Sequence, residues 1–267
     1  MYAARNQFFR VRRVKVARVV CLFLTLLAFQ VRANEDGFES LVAKGDLAGK
    51  KGDLAAALKA YTAAEKLEAA NSTNLCALTK CFCDLMHSTS SPELQQELAR
   101  AGLQCSEAAV RADPRNATSH ICVAICYAKN FPYVDNRTKV FYSRSIKAES
   151  ERAIELDPGQ DVAYYLLGRW NYGVANMNLL YRGLVRIIYG GLPSASNAEA
   201  IKDLKRAIAL NPRRIIHHEQ LAKVYLAIGE KELARHELEK CPGLKPLDED
   251  DAEAQAEAAK ELATLAK

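Results

Sequence analysis

The sequence predicts an all-α solenoid of about five helix pairs, with an inserted helix in the fourth unit and a capping helix at the C-terminus. The segment RAIELDP at 152–158 returns as RAIALNP at 206–212. Three further units end in a similar way, with a small residue five positions before the residue that closes the repeat. The five closing positions are Ala69, Pro114, Pro158, Pro212 and Pro246, spaced 45, 44, 54 and 34 residues apart.

This spacing is typical of tetratricopeptide (TPR) repeats, whose plain unit is about 34 residues. One helix pair cannot bury its own apolar stripe, so neighbouring pairs stack and need small residues where helices meet. Ala153 and Ala207 occupy such positions. In each case a proline five residues later ends the helix that contains the alanine. The remaining matches are Gly45, Gly52, Ala57, Tyr61 and Ala64 in the first unit and Leu221, Ala222, Tyr225, Gly229, Ala234 and Leu238 in the last.

Turn signals in the sequence divide each of the first two units into two helices. The first runs from Phe38 to Ala69, with a glycine-rich turn at 49–53. Asn71 and its neighbours offer N-caps for a helix over 74–87, and a Ser-Ser-Pro step then starts a second helix over 93–112.

The later units carry the insertions. We expect a helix from Ala117 to about Lys129, a loop over 130–137 and a long helix over 138–156. The fourth unit starts at Asp161 and contains an irregular stretch over 175–195, with an extra helix and a Gly-Gly-Leu-Pro turn. The fifth unit is compact, and the segment from Leu247 reads as an amphipathic cap for the last apolar face.

The first 33 residues differ in composition from the rest. They hold seven of the 37 Lys and Arg residues and no acid, which leaves 30 basic against 32 acidic residues in the body. A basic start, an apolar run over 19–29 and a small-residue cleavage pattern before Asn34 predict a signal or targeting segment at 1–33 and a TPR-like domain at 38–267. Export, membrane attachment and a mitochondrial-type presequence all fit this segment. The near-neutral body argues against nucleic-acid binding.

Four segments together resemble the regulator of microtubule dynamics family over about residues 38–267. They are ATSHICVAICYAKN, KAESERAIELDP, LLGRWNYGVAN and LDEDDAEAQAEAAKELA. The resemblance implies a non-catalytic scaffold without a cofactor, binding a protein partner that is acidic and tubulin-like. Family members associate with microtubules and spindle poles, and some are membrane-anchored, tether organelles and carry phospholipid. It also implies a cytoplasmic, microtubule-associated or mitochondrion-associated location. The alternatives are a phospholipid-binding, transfer or membrane-tethering module, and an exported TPR protein unrelated to microtubules.

The first helix of each pair lines the concave face of a TPR stack, which locates candidate binding residues. Counting from the closing positions predicts one inward-facing position in each unit. In the fourth unit this position is Arg169, and Tyr165 and Tyr172 flank it on the same helix face. The pattern favours a partly cationic groove for an acidic peptide or a phosphate head group, although an ordinary solvated face explains it too. The predicted partner-binding residues are Lys80, Tyr165, Arg169, Tyr172 and Lys223, with Ile125 and Asp46 at the equivalent positions of two other units.

The inserted stretch supplies a second candidate surface, formed by Tyr181, Arg182, Arg186 and Tyr189. A membrane surface or a protein partner is the expected contact, although the insert could simply cover an open groove. Trp170, the single tryptophan, is expected in the core.

No arrangement for catalysis or metal binding emerges from the motifs. Cys81, Cys83 and His87 lack a fourth ligand for zinc, so we predict no metal. Seven cysteines follow residue 33, and most are expected to pack as small apolar residues. Cys122 and Cys126 could alternatively bridge to the cysteines of the preceding repeat in an oxidising compartment.

Overall fold

Twelve α-helices and two short 3-10 helices make up the described part of the chain, residues 37–266 of the computed structural model, and no strand occurs there. The predicted targeting segment lies outside the described residues. The helices are α1 (Phe38–Lys50), α2 (Leu54–Leu67), α3 (Ser72–His87), α4 (Pro92–Ala112), α5 (Ala117–Asn130), α6 (Asn136–Leu156), α7 (Asp161–Ala175), α8 (Leu179–Tyr189), α9 (Asn197–Leu210), α10 (Ile215–Ala227), α11 (Lys231–Leu238) and α12 (Glu249–Leu265).

The helices pack in the pairs that the repeats predict. These pairs are α1 with α2, α3 with α4, α5 with α6, α7 with α9, and α10 with α11. The first helices of successive pairs also touch, so α3, α5, α7 and α10 form one continuous layer. The predicted all-α solenoid is confirmed, and its inner layer positions the groove described below.

The predicted small-residue positions lie where second helices pack most tightly. In four units the backbone N–H of the C-cap residue donates to the carbonyl of the small residue four positions earlier, which fixes the register of the helix end. The five small residues are completely buried, and they are Ala64, Ala109, Ala153, Ala207 and Cys241.

Glycine permits the closest approach between paired helices. A Cβ atom at Gly168 of α7 would lie 2.7 Å from Cγ of Leu204 in α9. At Gly45 of α1 it would lie 2.5 Å from the ring of Tyr61 in α2. Both distances are shorter than carbon atoms tolerate, so a side chain at either position would push the paired helices apart.

The insertions form ordered structure. Asp135 caps α6, which therefore begins at Asn136, two residues before the predicted start. The fourth unit contains the expected extra helix, α8, which is capped by Asn178. It ends at Gly190, whose φ of 78° is open mainly to glycine.

α12 covers the end of the solenoid as predicted. Ala254 and Ala258 are buried against the core, and Leu262 and Leu265 pack beside them. The last apolar face is therefore closed by the chain itself. Among residues 37–266, no helix combines the length and hydrophobicity needed to cross a bilayer.

Trp170 and the cysteines occupy the positions expected of core residues. The indole of Trp170 is buried, and its Nε1 donates to Ser143 Oγ at 3.0 Å. The seven described cysteines are free thiols, and five of them are buried. Cys76 and Cys83 of α3 lie beside Cys122 and Cys126 of α5, respectively. The helices predicted to be close enough for a bridge are therefore neighbours.

Candidate functional site

A polar groove of about 420 Å³ lies on the inner layer of the solenoid and contains three of the predicted partner-binding residues, Tyr165, Arg169 and Lys223. We call it the concave groove; its walls come from α7, α10 and α12. Its other lining residues are Ile216, Glu219, Gln220, Asp250, Glu253, Ala254, Glu257 and Lys260.

Arg169 supplies an exposed cation on the α7 wall of the concave groove. Its Nη1 lies 3.4 Å from the hydroxyl of Tyr165, one helical turn earlier. The Tyr165 ring stacks on His217 of α10, with ring centroids 5.5 Å apart. Burial raises the pKa of the Tyr165 phenol, so the hydroxyl stays protonated. The stacked tyrosine thus positions its hydroxyl beside the guanidinium of Arg169, which lines the groove.

Lys223 contributes less free charge than its sequence position suggests. Its Nζ forms an ion pair with Glu219, one turn earlier on α10. The Glu219 side chain is almost fully buried, and burial raises the pKa of its carboxyl group. Lys223 therefore neutralises a buried acid, and Arg169 remains the main positive centre on this wall.

The first turn of α12 places carboxylates opposite these cations. Asp250 Oδ1 lies 3.2 Å from His87 Nε2 of α3 and 3.6 Å from Lys129 Nζ of α5. Electrostatic attraction also links Asp250 to Arg169. An acidic segment of the chain thus occupies the concave groove and reaches the second, third and fourth repeats.

Two further aspartates anchor this turn to the start of α10. Asp248 accepts a charged hydrogen bond from Arg214 Nη1 at 2.6 Å. Asp251 is completely buried and accepts from the backbone N–H groups of Ile216 and Leu247, at 3.0 and 3.1 Å. It therefore caps two chain segments at once. These anchors fix where Asp250 enters the groove.

Protonation of His87 strengthens the contact between α3 and α12. Its Nδ1 faces the carbonyl of Cys83 at 3.1 Å, and its Nε2 faces Asp250. Both ring nitrogens thus have an acceptor, which suits the imidazolium, while the Lys129 ammonium 3.4 Å from Nε2 opposes its charge. The hydrogen bond to Asp250 raises the pKa of His87, and the same bond lowers the pKa of Asp250.

The other predicted concave residues do not line the concave groove. Lys80 is exposed and pairs with Asp84 at 2.7 Å, while the charge of Asp248 also attracts it. Tyr172 and Ile125 are half-buried and pack against the core. Asp46 accepts a hydrogen bond from the Tyr61 hydroxyl at 2.7 Å.

The predicted surface on the insert divides between two roles. Arg182 turns back and donates to the carbonyl of Ala175 at 2.7 Å, so it caps the end of α7. The carbonyl of Tyr189 accepts from Arg144 of α6. Arg186 and Tyr181 are exposed, and several aliphatic side chains beside them are also exposed.

The sequence reasoning missed Asp250 and the residues that it contacts. Asp250 comes from the C-terminal cap, Lys129 from the third repeat and His87 from the second, and no local pattern joins them. A usable signal was present, however, because the run Asp-Glu-Asp-Asp at 248–251 complements the predicted cationic face.

The sequence profile described as regulator of microtubule dynamics protein 1-3 matches residues 41–266. The chain belongs to this family. Regulator of microtubule dynamics protein 1 of Mus musculus is 28% identical over 179 residues, which are 67% of this chain and 59% of that protein. Regulator of microtubule dynamics protein 3 of Xenopus laevis is 28% identical over 66% of this chain and 38% of its own length. The match thus spans less than two thirds of each relative.

Among solved structures, a thermophilic TPR protein of Thermus thermophilus superposes with a TM-score of 0.59. The alignment covers 84% of this chain and 99% of that one at 19% identity. This likeness supports the fold alone. Family and fold together make the chain a TPR-like helical scaffold of the regulator of microtubule dynamics family, which is consistent with a protein-interaction adaptor.

Proposed function

We propose that this chain is a non-catalytic adaptor whose concave groove binds an acidic segment of a protein partner, with the microtubule surface as the first candidate. The contact of Asp250 with His87 and Lys129 carries the proposal. It supports an inner layer that accepts carboxylates, because Asp250 lines the groove and contacts cationic side chains of α3 and α5 beside it. The names of the relatives motivate the choice of microtubules.

A partner segment would extend or replace the contacts of the first turn of α12. Lys80 lies on the same inner layer and is exposed, so it offers a further cation near the start of α12. Asp250 is itself partly exposed, and water screens its ion pairs. An external chain with several carboxylates can therefore compete with this single aspartate.

Co-sedimentation with assembled microtubules tests the proposal. We expect the double charge reversal Lys80→Glu with Arg169→Glu to weaken binding at least about tenfold, because two cations facing the acidic ligand become anions. Asp250→Asn should have the opposite effect and strengthen binding, since it removes the internal competitor.

A matched control uses Arg100→Glu with Lys205→Glu. These exposed residues lie on α4 and α9, which are second helices of their pairs, and the change in net charge is the same. This variant should bind like the unmodified chain. Equal loss in both double variants would point to a nonspecific charge effect, and no loss in Lys80→Glu with Arg169→Glu would remove the groove from consideration.

Binding of a Glu-rich synthetic peptide distinguishes a general preference for acidic ligands from binding to microtubules in particular. If the peptide binds and depends on Arg169 while microtubules do not sediment with the chain, the acidic ligand stands and microtubules are replaced by another acidic partner.

A further inference from the structure

α8 presents its aliphatic side chains to solvent instead of to the protein. Leu180 and Ile187 are 80% and 83% exposed, and Leu184 and Ile188 are more than half exposed. At 3.6 residues per turn these four residues fall within about 100° of arc. We call them the aliphatic ridge. An amphipathic helix usually turns such a face to the core, so the orientation of α8 is the reverse of the ordinary one.

α8 is held on the body by its other side. Val185 is its single buried side chain, and the carbonyls of Tyr189 and Gly191 accept hydrogen bonds from Arg144 of α6. Arg182 ties the start of α8 to the end of α7. The aliphatic ridge is therefore fixed in place and is not a consequence of a loose helix.

The charge near the aliphatic ridge is positive. From Val162 to Ala198 the sequence contains no acidic residue, and Arg186 extends from the flank of α8 into solvent. The combination of an exposed aliphatic face and the flanking Arg186 complements a surface that is apolar inside and anionic outside.

We propose that α8 is an interfacial membrane-binding helix that inserts the aliphatic ridge into the boundary layer of an anionic bilayer, with Arg186 at the level of the lipid phosphates. The exposure of the ridge favours a bilayer over a protein, because all four side chains are more than half exposed and a protein partner would need a groove that matches them. This site lies on the insert and uses none of the lining residues of the concave groove, so it is independent of the proposed adaptor function.

The test uses sedimentation of the full chain with phosphatidylcholine vesicles, with and without a minor share of phosphatidylserine. We expect Leu180→Glu with Ile187→Glu to reduce binding to the anionic vesicles at least about tenfold, because two carboxylates would enter the apolar layer. Leu67→Glu with Leu233→Glu is the matched control, since both leucines are exposed on other helices. It should bind as the unmodified chain does.

A second measurement reports on α8 by comparing an introduced tryptophan with the buried Trp170, whose fluorescence is the common background in every variant. Tryptophan introduced as Ile187→Trp should be quenched by brominated phosphatidylcholine in the anionic vesicles, and Leu67→Trp should not. All of these positions are exposed, so the variants should fold normally.

Three results would overturn the proposal. The first is equal vesicle binding by the ridge variant and the unmodified chain, and the second is equal quenching at positions 67 and 187. The third is a concentration-dependent dimer that disappears in the ridge variant without any vesicle binding, which would assign the aliphatic ridge to a second copy of the chain.

Discussion

Asp203 is a buried acid whose environment opposes its charge. It lies on α9, is 7% exposed, and accepts a hydrogen bond from Asn171 Nδ2 at 3.0 Å. Burial raises its pKa to about 6, against an ordinary value of 3.8. The folded state therefore holds a proton between about pH 4 and pH 6 that the unfolded chain has released, and stability falls as the pH rises through this range.

Replacing the carboxyl group by an amide should stabilise the protein at neutral pH. Asp203→Asn keeps an acceptor for Asn171 and removes the buried charge. A shift of about two pKa units corresponds to at most ~3 kcal/mol, so we expect a gain of about 1–3 kcal/mol at pH 7. Urea unfolding at pH 4 and pH 7 measures it, and the gain should disappear at pH 4.

Glu97→Gln serves as the control, because Glu97 is exposed on α4. Its stability should stay close to that of the unmodified protein at both pH values. Equal stability of Asp203→Asn and the unmodified protein at pH 7 would show that the carboxylate is better solvated than its burial indicates.

At the scale of elements, the close contact between α7 and α9 depends on one glycine. A Cβ atom at Gly168 would also lie 3.2 Å from the carbonyl oxygen of Ala200, and Leu204 is completely buried and cannot move aside. We expect Gly168→Ala to lower the free energy of unfolding by about 1–3 kcal/mol, because the paired helices must separate. Thermal or urea unfolding checks it.

Gly173 provides a control in the same helix. Nothing lies within 4 Å of the position that its Cβ would take. Gly173→Ala should therefore stabilise α7 by up to ~1 kcal/mol, because alanine loses less backbone freedom in a helix. Opposite signs of the change in unfolding free energy for Gly168→Ala and Gly173→Ala would identify helix packing as the cause. Equal signs would contradict this explanation.

The elements were predictable because their signals are local and repeated. The closing positions, the small residues and the glycines each recur in register, so the pairs, the inserted helix and the cap could be placed from sequence. The two sides of the concave groove were not equally predictable from the sequence. Arg169 follows from counting within one repeat, whereas the partners of Asp250 depend on how far the solenoid curves, and curvature accumulates from small rotations between repeats.

The orientation of α8 could not be predicted from the sequence either. Its periodicity predicts a helix with an apolar face, and such a face ordinarily points inward. The carbonyl contacts of Arg144 and Arg182 hold α8 in the reverse orientation by tying its two ends to neighbouring helices. A pattern within eleven residues could not specify this.

At the scale of the whole molecule, the contact between His87 and Asp250 joins the second repeat to the C-terminal cap. Three charged groups meet there: the imidazole of His87 on α3, the ammonium of Lys129 on α5 and the carboxylate of Asp250 on α12. Because the pKa of His87 is raised in the folded state, this contact is strongest below the ordinary histidine pKa of about 6.5. Its stabilisation is lost as the pH rises through the raised value.

We therefore expect the start of α12 to loosen as the pH rises from below about 6.5 through the raised pKa of His87. Hydrogen exchange of the amides at 248–254, corrected for intrinsic rates, should show a several-fold loss of protection over this range. His87→Gln should remove most of the pH dependence, while His236→Gln, at an exposed position on α11, should leave it unchanged. Lys129 would still hold Asp250 at high pH, so the change should be a partial opening of the concave groove with the rest of the solenoid intact. Uniform protection across the pH range would mean that Lys129 and the anchoring aspartates hold α12 in place without the histidine.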